Sequence, residues 1–154
     1  MNPLLEGMLL SLAPVSELRG GLPLAVARGV PWPLAFVACV AANIIIVPLI
    51  FLFLDYFHCR LLKLRLYKRT FNAFLKRIRK RKESVEKNVE SYGIIALAVF
   101  VAIPLPITGA WSGALIAWLL GLKRLKSFFA IALGVLIAGA IVTMATLGII
   151  HILK

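Results

Sequence analysis

The chain has 154 residues, 62% of them hydrophobic, with a mean hydropathy of +0.98. Soluble domains are nearer half apolar, so this composition excludes an ordinary soluble protein and indicates a single all-α integral membrane domain. The formal charge is +12, but twelve of the 18 basic residues lie between Arg60 and Lys87. Such a block beside membrane segments is typical of a cytoplasmic loop, so we expect it to meet anionic lipid headgroups and not nucleic acid.

The chain begins with two short apolar segments around a break. Residues 3–13 are about 11 residues long, whereas a helix needs roughly 20 to span a bilayer. The break P-V-S-E-L-R-G-G follows at residues 14–21, and residues 22–30 are apolar again. Irregular backbone at membrane depth is tolerated when it is buried in protein or lines a cavity. We therefore predict a re-entrant hairpin over residues 3–30.

Residues 33–54 are 22 uncharged residues, long enough for a transmembrane helix, and Asn43 is their strongly polar side chain. Residues 57–82 combine apolar residues at helical spacing with Lys and Arg on other faces, which predicts a basic amphipathic helix in the membrane plane. Residues 56–92 would form a cytoplasmic amphipathic linker. The predicted membrane-surface residues are Lys63, Arg65, Lys68, Arg69 and Arg77.

The second half repeats this order, with a predicted re-entrant hairpin over residues 93–121 and a transmembrane helix over residues 128–153. Each unit crosses the membrane an odd number of times, so the two repeats would be inverted, which is a transporter design. The halves align at an offset of 92 residues, which pairs Pro14 with Pro106, Ser16 with Thr108, Gly21 with Gly113, Ala25 with Ala117, Gly29 with Gly121 and Phe36 with Phe128.

The orientation follows from the positive charges. In this topology the block at residues 60–87 and the turn with Lys123, Arg124 and Lys126 fall on one side and hold fifteen of the 18 basic residues. That side should be cytoplasmic, and both termini should be external.

Glu17 and Arg19 are the main candidates for a substrate or ion site. A charge at the bilayer centre costs about 2.5–3.5 kcal/mol on insertion scales, so such residues are paired, face a cavity or are functional. In a broken segment both side chains can turn toward one cavity. Glu17 could bind and release a proton, and Arg19 could hold a phosphate or carboxylate in a bidentate fork. The alternative is a structural ion pair between them that closes the hairpin tip.

The second hairpin offers backbone amides. Free N–H groups at a half-helix N-terminus favour an anion, and after Pro106 these are the amides of residues 108–110. The alternative is that Thr108 is an N-cap and Trp111 only packs. Asn43 could instead make an interhelical hydrogen bond. The predicted binding set is completed by Ser16 and Gly109.

No catalytic residue, cofactor or metal is predicted. The sequence has no Gly-rich nucleotide loop, metal-ligand cluster or nucleophile–base motif, which argues against an enzyme or an ATP-driven pump.

The stretches P-V-S-E-L-R-G-G-L-P-L-A at residues 14–25 and I-P-L-P-I-T-G-A-W-S-G-A at residues 103–114 resemble the two signature stretches of the putative small multi-drug export protein family. That family in turn resembles the wider DedA/VTT superfamily, whose members have paired re-entrant hairpins. They are implicated in moving polyprenyl phosphates or phospholipids, some of them with H⁺ or Na⁺. The resemblance implies a multi-pass protein of a prokaryotic plasma membrane. Many DedA proteins also carry charges in the second half, whereas residues 93–122 here have none.

We therefore expect a secondary transporter that moves an anionic lipid or lipid-linked phosphate by alternating access, with proton coupling at Glu17. Arg19 and the amides of residues 108–110 would hold the headgroup. One alternative is an exporter of amphipathic cations with Glu17 as the cation site. Another is a non-transporting scaffold that binds anionic membrane through residues 57–82. Two spans and two hairpins barely enclose a cavity, so a homodimer is expected.

Overall fold

The computed structural model describes residues 2–61, 88–105 and 108–152. These residues form six α-helices and no strand, which confirms the predicted all-α fold. Two of the helices are long and apolar enough to cross a membrane, over Trp32–Phe57 and Arg124–Ile152. The helices are α1 (Pro3–Leu12), α2 (Glu17–Ala27), α3 (Trp32–Leu61), α4 (Asn88–Ala102), α5 (Ala110–Leu119) and α6 (Arg124–Ile152).

The long helix α3 continues past the predicted end at residue 54 to Leu61. Residues 62–82 of the predicted in-plane helix lie outside the described residues, as do the membrane-surface residues Lys63, Arg65, Lys68, Arg69 and Arg77.

Helices α1 and α2 form an antiparallel pair, called the first hairpin here. At its open end Arg28 makes an ion pair with Glu6. Further along, Gly7 lies against the backbone of Gly21 and the side chain of Ala25, with no room for a Cβ on either glycine. Small residues allow such close approach of two helices in a membrane. The helices are joined at residues 13–16, the first tip, because Pro14 disfavours helix at the preceding residue.

Helices α4 and α5 form the second hairpin in the same manner. Gly113 of α5 packs against Val101 near the end of α4, and Gly93 lies beside Leu122 at the other end. The joining segment is the second tip, of which residues 103–105 and 108–109 are described. The hairpin packs against α6, where Gly134 contacts the backbone of Ala98 and the side chain of Val101.

The two long helices run antiparallel to each other. At one end the Arg124 guanidinium makes a bidentate pair with Asp55, with N···O distances of 2.6 and 2.8 Å, and the Trp118 indole donates to the same carboxylate at 3.0 Å. Asp55 is near the end of α3 and Arg124 begins α6, so the last turns of α3 lie beside the first turn of α6. Both hairpins pack against this pair and share one apolar core with it.

The same turn ends the second helix of each hairpin. Gly29 and Gly121 both have positive φ, +90° and +61°, in the left-handed region that glycine adopts without strain. The hydrogen bonds around them correspond at the offset of 92 residues: Val30 N–H to Ala25 O (3.1 Å) with Leu122 N–H to Ala117 O (3.0 Å), and Gly29 N–H to Val26 O (3.0 Å) with Gly121 N–H to Trp118 O (3.1 Å).

Candidate functional site

The two tips meet inside the protein, where the start of α2 lies against the end of α4 and the start of α5. A small cavity of about 10 Å³ lies at this junction. Its polar lining comes from Glu17, Arg19 and Asn43, and the long helix α6 supplies apolar wall residues. Glu17 and Arg19, which the sequence analysis expects to turn toward one cavity, both line this one.

Glu17 is the first residue of α2 and is only 7% exposed. Its φ of +48° is in the left-handed region, which a residue with a side chain occupies at a cost of about 1–2 kcal/mol. Its carboxylate accepts a hydrogen bond from the backbone N–H of Trp111 at 3.2 Å, and the amide of Ala110 also binds it. These are the first two amides of α5, so the carboxylate occupies the positive end of that helix.

The predicted anion site is thus filled by a group of the chain itself. Sequence reasoning placed the free amides at residues 108–110, whereas the amides that bind a carboxylate are those of Ala110 and Trp111. The group that lies at these amides in this structure is the Glu17 carboxylate. Gly109 was in the predicted binding set, but its correspondence to Glu17 at the offset of 92 residues was not used. A Cβ at Gly109 would overlap the Glu17 carboxylate, so glycine leaves the space that the acid fills.

Arg19 also takes its partners from the second hairpin. Its guanidinium donates to the Thr108 hydroxyl at 3.0 Å and to the carbonyl of Ile103 at 3.3 Å. Ile103 directly follows α4, so the positive charge lies at the negative end of that helix. The Thr108 hydroxyl lies 2.6 Å from the same carbonyl and 2.9 Å from that of Leu105. Thr108 therefore closes the second tip, and the N-cap of α5 is Gly109.

Trp111 has a second contact besides its backbone bond to Glu17. Its indole N–H donates to the carbonyl of Leu12, the last residue of α1, at 3.1 Å. Trp111 aligns with Arg19 at the offset of 92 residues. Each of these side chains thus donates to a carbonyl at the end of the other hairpin's first helix, so Trp111 does more than pack.

Two predicted polar residues keep an unpaired oxygen. Asn43 is 2% exposed, and its Oδ1 has no hydrogen-bond partner among the described residues, so this atom does not make the expected interhelical bond. The Ser16 hydroxyl is also buried without a partner in the described part of the chain. Asn43 lines the cavity with Glu17, whereas Ser16 lies beside Gly20 on the first hairpin.

Comparison with known proteins identifies one family. The sequence model of a family described as "Putative small multi-drug export protein" matches residues 17–141, which is most of the chain and includes Glu17 and the whole second tip. No curated protein and no solved structure matches the chain.

Proposed function

The chain belongs to the putative small multi-drug export protein family, and from that premise we propose that it is a secondary membrane transporter that exchanges protons for an amphipathic cation at Glu17. One observation carries the proposal: the Glu17 carboxylate is buried where the two hairpins meet and is bound by the second hairpin. An acid in this position is discharged by a proton or by a cation, and either event weakens its hold on α5.

The proposed membrane arrangement is two inverted units, each with a re-entrant hairpin and one spanning helix. Three observations support it. The turns at Gly29 and Gly121 have matching hydrogen bonds, α3 and α6 are antiparallel, and Arg19 and Trp111 have reciprocal contacts. The Asp55–Arg124 pair puts the end of α3 and the start of α6 together, on the side that we propose is cytoplasmic.

The cavity is too small for any organic molecule, so the described conformation is closed around Glu17. A volume of about 10 Å³ corresponds to one water molecule. Transport therefore requires the tips to separate, and the contacts that must break are those of Glu17 with α5 and of Arg19 with the second tip. Protonation or cation binding at Glu17 removes the first of these and favours the open state.

Two observations favour a cation as cargo over the anionic lipid that the sequence analysis put first. The α5 amides, which would hold an anion, are occupied by Glu17, and the Arg19 guanidinium is bonded to Thr108 and Ile103. The family's description as an export protein for multiple drugs points in the same direction.

The anionic lipid or lipid-linked phosphate remains the second candidate because the start of α5 already binds a carboxylate. A phosphate could take that place once Glu17 leaves it. The two cargoes make opposite demands on Arg19, since removing its positive charge should harm anion transport and spare or improve cation transport. Arg19→Gln is the informative variant because an amide N–H keeps a donor near Thr108 and Ile103.

The proposal is tested in proteoliposomes with a pH gradient and a fluorescent amphipathic cation such as ethidium. We expect gradient-driven uptake by the wild-type protein and none by Glu17→Gln. The matched control is Glu6→Gln, which alters the ion pair with Arg28 at the open end of the first hairpin, away from the tips. Equal uptake by Glu17→Gln and the wild type would refute the proposal.

A further inference from the structure

We infer that the cavity between Glu17 and Asn43 binds one water molecule and that this water passes the proton to Glu17. The proton-transfer step rests on the function proposed above, whereas the water site rests on the geometry of the cavity alone. Asn43 is then a positioning residue that acts on Glu17 through the water.

The size of the cavity matches one small molecule. Its volume of about 10 Å³ is at the lower limit for a single water. The remaining wall is apolar, with Leu18 from α2, Val101 from α4, and Val135 and Ala138 from α6. These apolar side chains offer no hydrogen bonds, so a molecule in the cavity forms its hydrogen bonds with the polar groups on the opposite side.

The polar groups determine what kind of molecule fits. The unpaired Oδ1 of Asn43 and the carboxylate of Glu17 are both hydrogen-bond acceptors. A buried acceptor without a partner is destabilising, and buried polar groups of this kind are usually satisfied by ordered water. The species between two acceptors must donate a hydrogen bond to each, as water or ammonium does, or be coordinated by both oxygens, as a small metal cation is.

The charges around the cavity favour the neutral donor. Among the residues that line it, Glu17 and Arg19 are the charged ones, and Asn43, Val101, Val135 and Ala138 carry no titratable group. In the closed conformation a cation in this cavity would lie close to the Arg19 guanidinium, with no second carboxylate lining the cavity to offset the repulsion, whereas the cargo cation proposed above reaches Glu17 after the tips separate. A water molecule meets no such repulsion and satisfies both acceptors.

The proton step is balanced within this site. When a proton arrives from solution, the bound water accepts it and in the same step donates one of its own protons to the Glu17 carboxylate, so that no hydronium ion stays beside Arg19. The products are a neutral carboxylic acid and a neutral water that still donates to Asn43. Loss of charge weakens the bonds from Trp111 and Ala110, which links proton arrival to release of the second hairpin.

Infrared spectroscopy of the reconstituted protein tests the inference. The signal is the carbonyl stretch of protonated Glu17, identified by its loss in Glu17→Gln, and the readout is the rate at which this band shifts after transfer from H₂O to D₂O. Asn43→Leu removes the acceptor at similar volume, and Ala138→Val fills the cavity while Asn43 stays. We expect both variants to slow the exchange by roughly tenfold, the effect of one hydrogen bond.

Ser127→Ala is the matched control, because it removes a buried hydroxyl that has no partner among the described residues and does not line the cavity. It should exchange at the wild-type rate. Wild-type exchange in Ala138→Val would overturn the inference even if Asn43→Leu fails to fold. A band that shifts with Na⁺ or NH₄⁺ concentration at constant pH would identify a cation instead of water and would also overturn it. The readout is proton exchange and not transport. This test of the water site is therefore valid whether or not Glu17→Gln abolishes transport.

Discussion

The carboxylate of Glu17 fills the space that a side chain at Gly109 would need. An added Cβ at Gly109 would overlap both carboxylate oxygens, although the two residues are far apart in the sequence. The amides of Ala110 and Trp111, directly after this glycine, bind the same carboxylate. The carboxylate of the first tip therefore lies at the N-terminus of α5, and this contact joins the two hairpins in the described structure.

Gly109→Ala should displace the Glu17 carboxylate. The φ of Gly109 is −151°, an extended conformation that any residue adopts, so the effect would come from the collision alone. We expect thermal denaturation in detergent to show a loss of about 1–3 kcal/mol, as for other overpacked sites, together with loss of pH-driven uptake. Gly148→Ala is the control, since the described residues leave open space there and alanine is the better helix former. Equal thermal stability and equal pH-driven uptake in the Gly109→Ala and Gly148→Ala variants would show that the contact between Gly109 and Glu17 is unimportant.

Thr108→Val should weaken the closed state because it removes the hydroxyl that receives the Arg19 bond and lies against the Ile103 carbonyl. The Arg19 bond to Thr108 is partly buried, and a hydrogen bond to a charged group is worth about 1.5–3 kcal/mol. We expect a lower melting temperature and faster basal leak of ethidium. Thr146→Val is the comparison, because the Thr146 hydroxyl bonds within its own helix to Val142 at 2.7 Å and contacts no tip. The account is contradicted if Thr146→Val has the larger effect on leak.

Val15→Cys tests whether the first tip lies inside the bilayer. Val15 is 97% exposed and lies between α1 and α2. In the proposed re-entrant arrangement a fluorescent label there would be quenched by lipids brominated at mid-chain and protected from water-soluble quenchers. A label at Gly29, where the described structure is open and the hairpin ends, should give the reverse pattern. A label at Val15 that water-soluble quenchers reach from one side would place that tip at the surface.

Local patterns in the sequence were sufficient to find the helices. The proline break after Ala13 and the uncharged run before Leu54 predicted the first hairpin and the first long helix, and the repeat predicted their counterparts. The observed helix bounds differ from the predicted ones because the apolar content of the sequence changes gradually at the ends of each helix. Helix α3 continues to Leu61 instead of ending at residue 54, and α4 begins at Asn88 instead of residue 93.

The partners inside the site could not be predicted in the same way. Glu17 and Trp111 are 94 residues apart, and Arg19 and Thr108 are 89 residues apart. Hydrophobic periodicity reports which face of a helix is apolar and carries no information about which distant residue meets it. Charges within an apolar stretch made Glu17 and Arg19 the main candidates, but their complementarity to the second tip depends on how the two hairpins pack.

The partners of Asp55 could not be predicted from the local sequence either. Its place near the end of an apolar run does not reveal that Arg124 and Trp118, more than 60 residues later, bind its carboxylate.

Proton release on cargo binding tests the central claim most directly. The purified protein, held in weakly buffered detergent solution with a pH indicator, is mixed with ethidium at a pH where Glu17 is protonated. If Glu17 exchanges a proton for the cation, binding to the wild-type protein releases protons in proportion to bound ethidium, and Glu17→Gln releases none while Glu6→Gln behaves as the wild type. Ethidium binding without proton release by the wild-type protein, or equal release by Glu17→Gln, would contradict the account.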